Sequence, residues 1–287
     1  MTIDQLIHDS LNYLQNQGIE TSKFELRLLA AFALKTDFNS VIFYKHPLTE
    51  KQIAEFNRLV EKRKTRCPVD KIIGQKGFYK YDFEVNESVL SPRADTELSV
   101  ENAIALIRRE KLSKILEFGI GSGCIILSVL ADCPEITGTG IDISADALNT
   151  AKRNAEALKV SQRLTVMQAS WFDNDITEKT GGGFDMIISN PPYIPSGDIQ
   201  GLEPEVKDFD PLLALDGGED GLRDYRQIAK IAGGMLKDGG YLIFEAGIHQ
   251  ADDITGIAQS CGFAKVAVLK DLGGIERCII LKKQFTF

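Results

Sequence analysis

Lys114-Ile115-Leu116-Glu117-Phe118-Gly119-Ile120-Gly121-Ser122-Gly123, followed by Cys124-Ile125-Ile126-Leu127-Ser128-Val129-Leu130, is the stretch on which the fold turns. A short apolar run ending at glycine reads as a buried strand, and the apolar run after the glycines reads as the helix that packs on it. The three glycines let the backbone turn sharply and come close to a ligand, and the helix that follows presents free N–H groups at its start. Nineteen residues beyond Gly123, Asp142 closes the next apolar run in Gly140-Ile141-Asp142-Ile143. An acidic side chain at the end of a second strand accepts hydrogen bonds from both hydroxyls of a ribose. Loop and carboxylate together specify an adenosine-containing ligand.

Spacing separates the ligand classes. In a dinucleotide-binding Gly-x-Gly-x-x-Gly the third glycine falls at position 124, which is Cys124, whereas Gly-x-Gly-x-Gly suits S-adenosylmethionine. No Lys follows the loop, which excludes a phosphate-binding Walker loop.

Outward from this unit, strand-like runs alternate with amphipathic helical stretches. Strands are expected at Lys114 to Phe118, Ile136 to Ile143, Leu164 to Ala169, Phe184 to Ser189, Tyr241 to Ala246, Val266 to Leu269 and Cys278 to Leu281. Helices are expected near 95–110, 123–132, 144–158, 220–236 and 250–261. Such alternation means a parallel, doubly wound α/β sheet. Only the Gly273-Gly274 turn separates the last two strands, so the final strand should pair antiparallel.

The fourth of these strands delivers Asn190-Pro191-Pro192-Tyr193. Two prolines end the ladder and stiffen the turn, which holds Asn190 at the carboxyl end of the sheet, where this architecture binds ligands. The chemistry that fits is transfer to a planar amide or amine nitrogen, whose lone pair is freed when both N–H groups are held by acceptors. The Asn190 side-chain oxygen and the Pro191 carbonyl are such acceptors, with Tyr193 walling the pocket. Trp171, just after the third strand, is placed to pack beside an adenine.

Toward the N-terminus the pattern changes. Residues 1–75 recur at a helical period through Leu6, Ile7, Leu11, Leu14 and Leu26, Leu28, Leu29, Ala33, Leu34, with Thr49 as N-cap of Glu50 to Lys64. Residues 76–92 read as a linker with a small hairpin through Gly77 to Val85, and residues 93–287 as the α/β domain. The helical part carries net charge +2 and the remainder −10, within a total of −8 over 287 residues. That balance disfavours bulk binding of polyanions. Lys62-Arg63-Lys64 with Arg66 reads as a solvated helix face. Ser196 to Glu219, long for a strand-to-helix connection, reads as a substrate loop. Five cysteines without Cys-x-x-Cys spacing, three scattered histidines and no apolar leader or ~18-residue apolar run point to a cytoplasmic chain with no metal site and no membrane association.

The chain resembles the release factor glutamine N5-methyltransferases, the HemK-type protein methyltransferases, over nearly its whole length. Carrying the resemblance are Asn190-Pro191-Pro192-Tyr193, Pro92-Arg93-Ala94-Asp95-Thr96-Glu97, Ser170-Trp171-Phe172, and a tail that includes Leu202, Glu205-Val206, Asp210-Pro211, Gly217-Gly218, Asp220-Gly221-Leu222 and Tyr225-Arg226. It implies a Rossmann-like seven-stranded sheet with a small all-α substrate-recognition domain at residues 1–75. S-adenosyl-L-methionine is the implied methyl donor, with S-adenosyl-L-homocysteine as product. The implied substrate is the glutamine of the Gly-Gly-Gln motif in class 1 peptide chain release factors. The implied cofactor-binding residues are Glu117, Gly119, Ile120, Gly121, Ser122, Gly123, Asp142, Ile143, Trp171 and Asn190. Asn190, Pro191, Pro192 and Tyr193 are the implied catalytic and substrate-binding residues. Arg93 supports them, by orienting the linker loop or pairing with Glu97. Glu117, Ile120, Ser170 and Asp70-Lys71 stand where the family frequently has Asp, Thr, Asp and Ala-Tyr.

Rival readings share parts of this pattern. An adenine or cytosine amino-methyltransferase on DNA or RNA uses the same tetrapeptide, and a glutamine methyltransferase acting on a ribosomal protein uses the same chemistry. A silent S-adenosylmethionine-binding scaffold is opposed by intact Asn190 and Tyr193, and a dehydrogenase by Cys124.

Overall fold

The computed structural model describes residues 1–285. Two compact units emerge: Met1–Gln75 together with Glu203–Phe209, and Lys76–Leu202 together with the chain from Asp210 onward.

The first unit is helical, with helices Ile3–Asn16, Lys23–Leu34, Phe38–Ile42, Glu50–Lys64 and Val69–Ile73, and the short helix Pro204–Lys207 contributed from far along the chain. The expected N-cap at Thr49 is present, and two further caps were not read from the sequence. Thr2, Ser22 and Thr49 each cap a helix and are capped in return by Gln5, Glu25 and Gln52, which satisfies N–H groups that the first turn leaves without partners. Leu14, Leu26, Leu29, Phe56 and Leu59 fill the core between them. Within the cluster at 62–66 Lys62 is exposed, but the arginines are not free on a solvated face. Arg63 is 4% exposed. It donates to the Glu20 carbonyl at 2.6 Å and to Glu205 Oε1 at 3.2 Å, and Arg66 reaches Glu205 Oε2 at 3.3 Å. The carboxylate that pairs with both guanidinium groups lies some 140 residues away in sequence, and no helical period reports that.

In the second unit a two-stranded sheet, β1 (Gln75–Phe78) and β2 (Tyr81–Glu84), precedes the main sheet. Asp132 fastens it: the Tyr79 and Tyr81 hydroxyls donate to its carboxylate at 3.2 and 2.6 Å, and Lys80 pairs with it. The main strands are β3 (Lys114–Phe118), β4 (Thr137–Asp142), β5 (Leu164–Gln168), β6 (Phe184–Ser189), β7 (Leu236–Glu245), β8 (Phe263–Lys270) and β9 (Glu276–Lys283). Their order is β5-β4-β3-β6-β7-β9-β8, parallel from β5 through β7. The strand β9 runs antiparallel to both β7 and β8. β7 begins five residues ahead of Tyr241, directly after the helix Arg223–Met235. Its extra length is taken up in an irregularity between Phe184 and Met186 on β6, opposite Gly239 at φ +74°.

Winding away from β3 through β4 to β5 and then returning to β6 on the other side of β3 creates a switch point. Beside it the carboxyl ends of β3 and β6 open a crevice. Side chains alternate across the sheet. Ile115, Met186, Ile188, Tyr241, Ile243 and Ile280 face the helices Glu97–Glu110 and Cys124–Asp132, whereas Leu116, Phe118, Ile187, Leu242 and Phe244 face Arg223–Met235.

Candidate active site

The glycine loop leaves β3 with Gly119, Gly121 and Gly123 at φ +73°, +52° and +82°, a region that side-chain-bearing residues rarely adopt. Gly119 and Ile120 both donate to the Ile141 carbonyl, at 2.8 and 2.9 Å, which clamps the loop against the end of β4. Gly121 N–H donates to Asp142 Oδ2 at 3.0 Å and Ser144 N–H to Oδ1 at 2.9 Å. Burial pushes the Asp142 carboxyl above its ordinary range, and these backbone donors draw it back. Gly123 sits behind the loop as the cap of the helix Cys124–Asp132, where a Cβ would meet Leu127 at 2.7 Å.

One cleft collects most of the sequence-predicted residues. Glu117, Gly119 to Ser122, Asp142, Ile143, Trp171, Arg93, Asn190 and Pro192 line it, together with Pro211, Leu213 and Ala214 from the long loop read as a substrate loop, and Ser88 to Pro92, which sequence reasoning did not place there. Pro191 and Tyr193 are not on its wall. The cleft is open to solvent on one side. Ile143 is a large apolar side chain left exposed beside Asp142. Opposite the glycines, Trp171 stands 3.6 Å from where a Gly119 Cβ would be, its indole N–H held by Asp224 at 2.9 Å and its backbone carbonyl by Gln227 at 2.8 Å. Ser122 Oγ is buried without a partner. A carboxylate fixed by backbone, an apolar platform, an anchored indole and a close-approach glycine cradle fit S-adenosylmethionine.

Arg93 pairs with Asp210 at 2.8 Å, and Ser91 N–H donates to the same carboxylate. The expected Glu97 partner instead accepts from Tyr79 N–H at 2.9 Å. Glu117, fully buried, accepts from Ile126 N–H at 3.0 Å; burial, with the charge of Asp142 adding to it, pushes its carboxyl well above the ordinary range.

At the end of β6, Ser189 Oγ donates to the Phe118 carbonyl at 2.9 Å and ties the Asn190 turn to β3. The turn is backed by close backbone packing. A Cβ on Gly217 would lie 2.6 Å from the Pro192 carbonyl oxygen and 2.9 Å from Tyr193 Cα. Gln250 Nε2 donates to the Tyr193 carbonyl at 3.0 Å while its Oε1 accepts from Gly247 N–H at 3.1 Å, so the segment after β7 and the tetrapeptide share one side chain. Glu245 ends β7 one step beyond the Ser189–Phe244 pair, at the register of Asn190; the sequence reading passed over it because no glycine loop or neighbouring motif marked it, as one marked Asp142.

A glycine loop after the central strand, a carboxylate after its neighbour and an Asn-Pro-Pro-Tyr turn after the strand across the switch point define the Rossmann-like methyltransferase class. The fold agrees: the catalytic domain of hMettl16, solved in complex with the MAT2A 3'UTR hairpin 6, superposes with a TM-score of 0.55 at 15% identity over 71% of this chain and 76% of that one. Residues 101–201 match the methyltransferase small domain and residues 5–74 the PrmC N-terminal domain. A release factor glutamine methyltransferase of Rhodospirillum rubrum is 39% identical across 93% of this chain and 81% of its own. Another of Agrobacterium fabrum is 38% identical across 94% and 93%. The chain belongs to the release factor glutamine methyltransferase family.

Proposed function

We propose that this protein transfers a methyl group from S-adenosylmethionine to the side-chain amide nitrogen of the glutamine in the Gly-Gly-Gln motif of class 1 peptide chain release factors. The observation that carries the reading is the placement of Asn190 on the wall of the same cleft as the glycine loop and Asp142, in a chain of this family. S-adenosylmethionine supplies an electrophilic methyl on a sulfonium sulfur. Gly121 and Ser144 N–H groups hold Asp142 ready for the ribose hydroxyls, Ile143 and Trp171 flank the adenine, and Glu117 and Ser122 face the amino-acid end.

Asn190 Oδ1 and the Pro191 carbonyl accept the two N–H groups of the substrate amide, which leaves the nitrogen lone pair facing the methyl. No strong general base is required: the charge that develops on nitrogen is shared with two fixed acceptors, and the proton departs afterwards. Tyr193, held by Gln250, braces the turn. The helical unit binds the protein substrate; Phe24, Phe32 and Phe43 are exposed on it, an apolar surface suited to a folded protein. Arg93, fixed by Asp210, orders the segment that covers the cleft. Among the described residues no helix is long and apolar enough to cross a membrane.

Radiolabelled methyl transfer to purified release factor, against duplex DNA, total RNA and ribosomal protein, tests the substrate. Mass spectrometry should place a single methyl on the Gly-Gly-Gln glutamine. Label in nucleic acid and none in release factor would overturn the reading.

A further inference from the structure

We propose that Glu245 is a positioning residue for Asn190: its carboxylate accepts a hydrogen bond from the Asn190 carboxamide N–H and so fixes the Asn190 oxygen toward the substrate amide. This rests on the amide-holding role given to Asn190 above.

The placement comes from the sheet. Ser189 pairs with Phe244, so Asn190 and Glu245 are the next residues on neighbouring parallel strands and share the opposite face, in line with Ile188 and Ile243. Glu245 is 3% exposed and its Oε2 has no hydrogen-bond partner. The Thr96 hydroxyl and the Asn190 amide lie against the carboxylate. The Glu245 backbone is fixed independently, its carbonyl accepting from the buried Tyr225 hydroxyl at 2.7 Å. A buried acceptor beside Asn190 has a specific consequence. A carboxamide presents two donors on one side and an acceptor on the other, and a half-turn exchanges them. An ionised carboxylate only accepts, so the NH₂ group must face it and the oxygen must face away, toward the cleft. A neutral amide or an apolar residue at 245 leaves both orientations open.

Ionisation therefore sets the orientation. Burial pushes Glu245 up to about 7, against the Thr96 hydrogen bond and the Arg277 charge, with Asp95 adding to the rise and Asn190 drawing it down. Tyr193, Tyr225, Cys124 and Cys278, which also face this carboxylate, are themselves raised by burial and stay neutral near pH 7. Below pH 7 a protonated Glu245 becomes a donor and the constraint on Asn190 is lost.

The test reads the pair directly. In the full-length, ligand-free chain labelled with ¹⁵N-asparagine, the side-chain resonance missing from Asn190→Ala should shift with a midpoint near pH 7 and stop shifting in Glu245→Gln. Glu245→Gln should lower kcat about 10- to 100-fold, as substitutions that free an orienting partner do, with the KM for release factor and the affinity for S-adenosylmethionine unchanged. In an Asn190→Ala background Glu245→Gln should add almost nothing. Additive losses, or an Asn190 resonance indifferent to pH, would overturn the proposal. If Glu245→Gln fails to fold, the wild-type titration still decides. A titrating Asn190 in a chain that does not methylate release factor would uphold the pair and remove the substrate assignment instead.

Discussion

The glycine-loop side of the cleft is held together by backbone hydrogen bonds between neighbours in sequence, and the Asn190 side by contacts drawn from distant segments. Between Gly119 and Ser144 the donors are main-chain N–H groups, the acceptor Asp142 is clamped by two of them, and the partners lie within about 25 residues of one another. Around Asn190 the supports come from Phe118, Gly217, Tyr225, Glu245 and Gln250. A backbone cradle tolerates change at most of its side chains, because N–H groups survive substitution. A side-chain scaffold concentrates its function in a few atoms. The first side should thus lose binding in modest steps when altered, and the second should lose turnover in large ones.

Asn190→Ala is the sharpest attempt to break that contrast. Removing one of two fixed acceptors should lower kcat by roughly 10²- to 10³-fold, by analogy with loss of one oxyanion-hole donor, while calorimetry finds S-adenosylmethionine affinity nearly intact. Normal turnover at saturating release factor would end the amide-holding mechanism.

Next in size is a pH effect on stability that belongs to the buried carboxyls alone. Glu245, at about 7 in the folded chain against an ordinary 4.5, keeps its proton where the unfolded chain has released it. Its stabilising contribution is therefore complete below pH 4.5 and lost as pH rises through 7, a change of about 3 kcal/mol for this group. Glu117 shifts in the same direction. Urea midpoints between pH 5 and 8 should fall in the wild type and fall less steeply in Glu245→Gln, where Glu117 still contributes; a rise across that window would contradict the burial argument.

On the other side of the cleft, Asp142→Ala should weaken S-adenosylmethionine binding at least tenfold, since each charge-assisted hydrogen bond to a ribose hydroxyl contributes roughly 1.5 to 3 kcal/mol. It should leave kcat at saturating cofactor within a few fold. An unaltered dissociation constant in the folded variant would remove Asp142 from the site. Gly217→Ala is the mildest test. Its methyl must displace the Pro192 carbonyl, so we expect about 1–3 kcal/mol of destabilisation and a matching loss of kcat without loss of cofactor affinity.

The same contrast explains what could be read in advance. The strand, glycine loop, helix and Asp142 sit in one continuous stretch governed by local rules of strand period, glycine conformation and helix start, and the structure places them as that stretch implied. One helix start in the first unit was legible in the same way, at Thr49, since a capping Thr is a local signal. Resemblance to the family pointed to Arg93 and Asp210 separately, and neither it nor the spacing joined them.

By itself, then, the sequence determined the alternation that makes an α/β sheet, the antiparallel last pair, the glycine loop with Asp142 beside it and the turn that carries Asn190. Those features depend on residues close in the chain, whose geometry is set by backbone sterics and hydrogen bonds over one or two turns. Tertiary structure alone decided that β9 slips between β7 and β8, that Glu205 pairs with Arg63 and Arg66, and that the end of β7 carrying Glu245 lies in register with Asn190. Each brings together groups tens to more than a hundred residues apart. Only chain packing selects such encounters, because a buried charge must find its partner wherever the fold provides one.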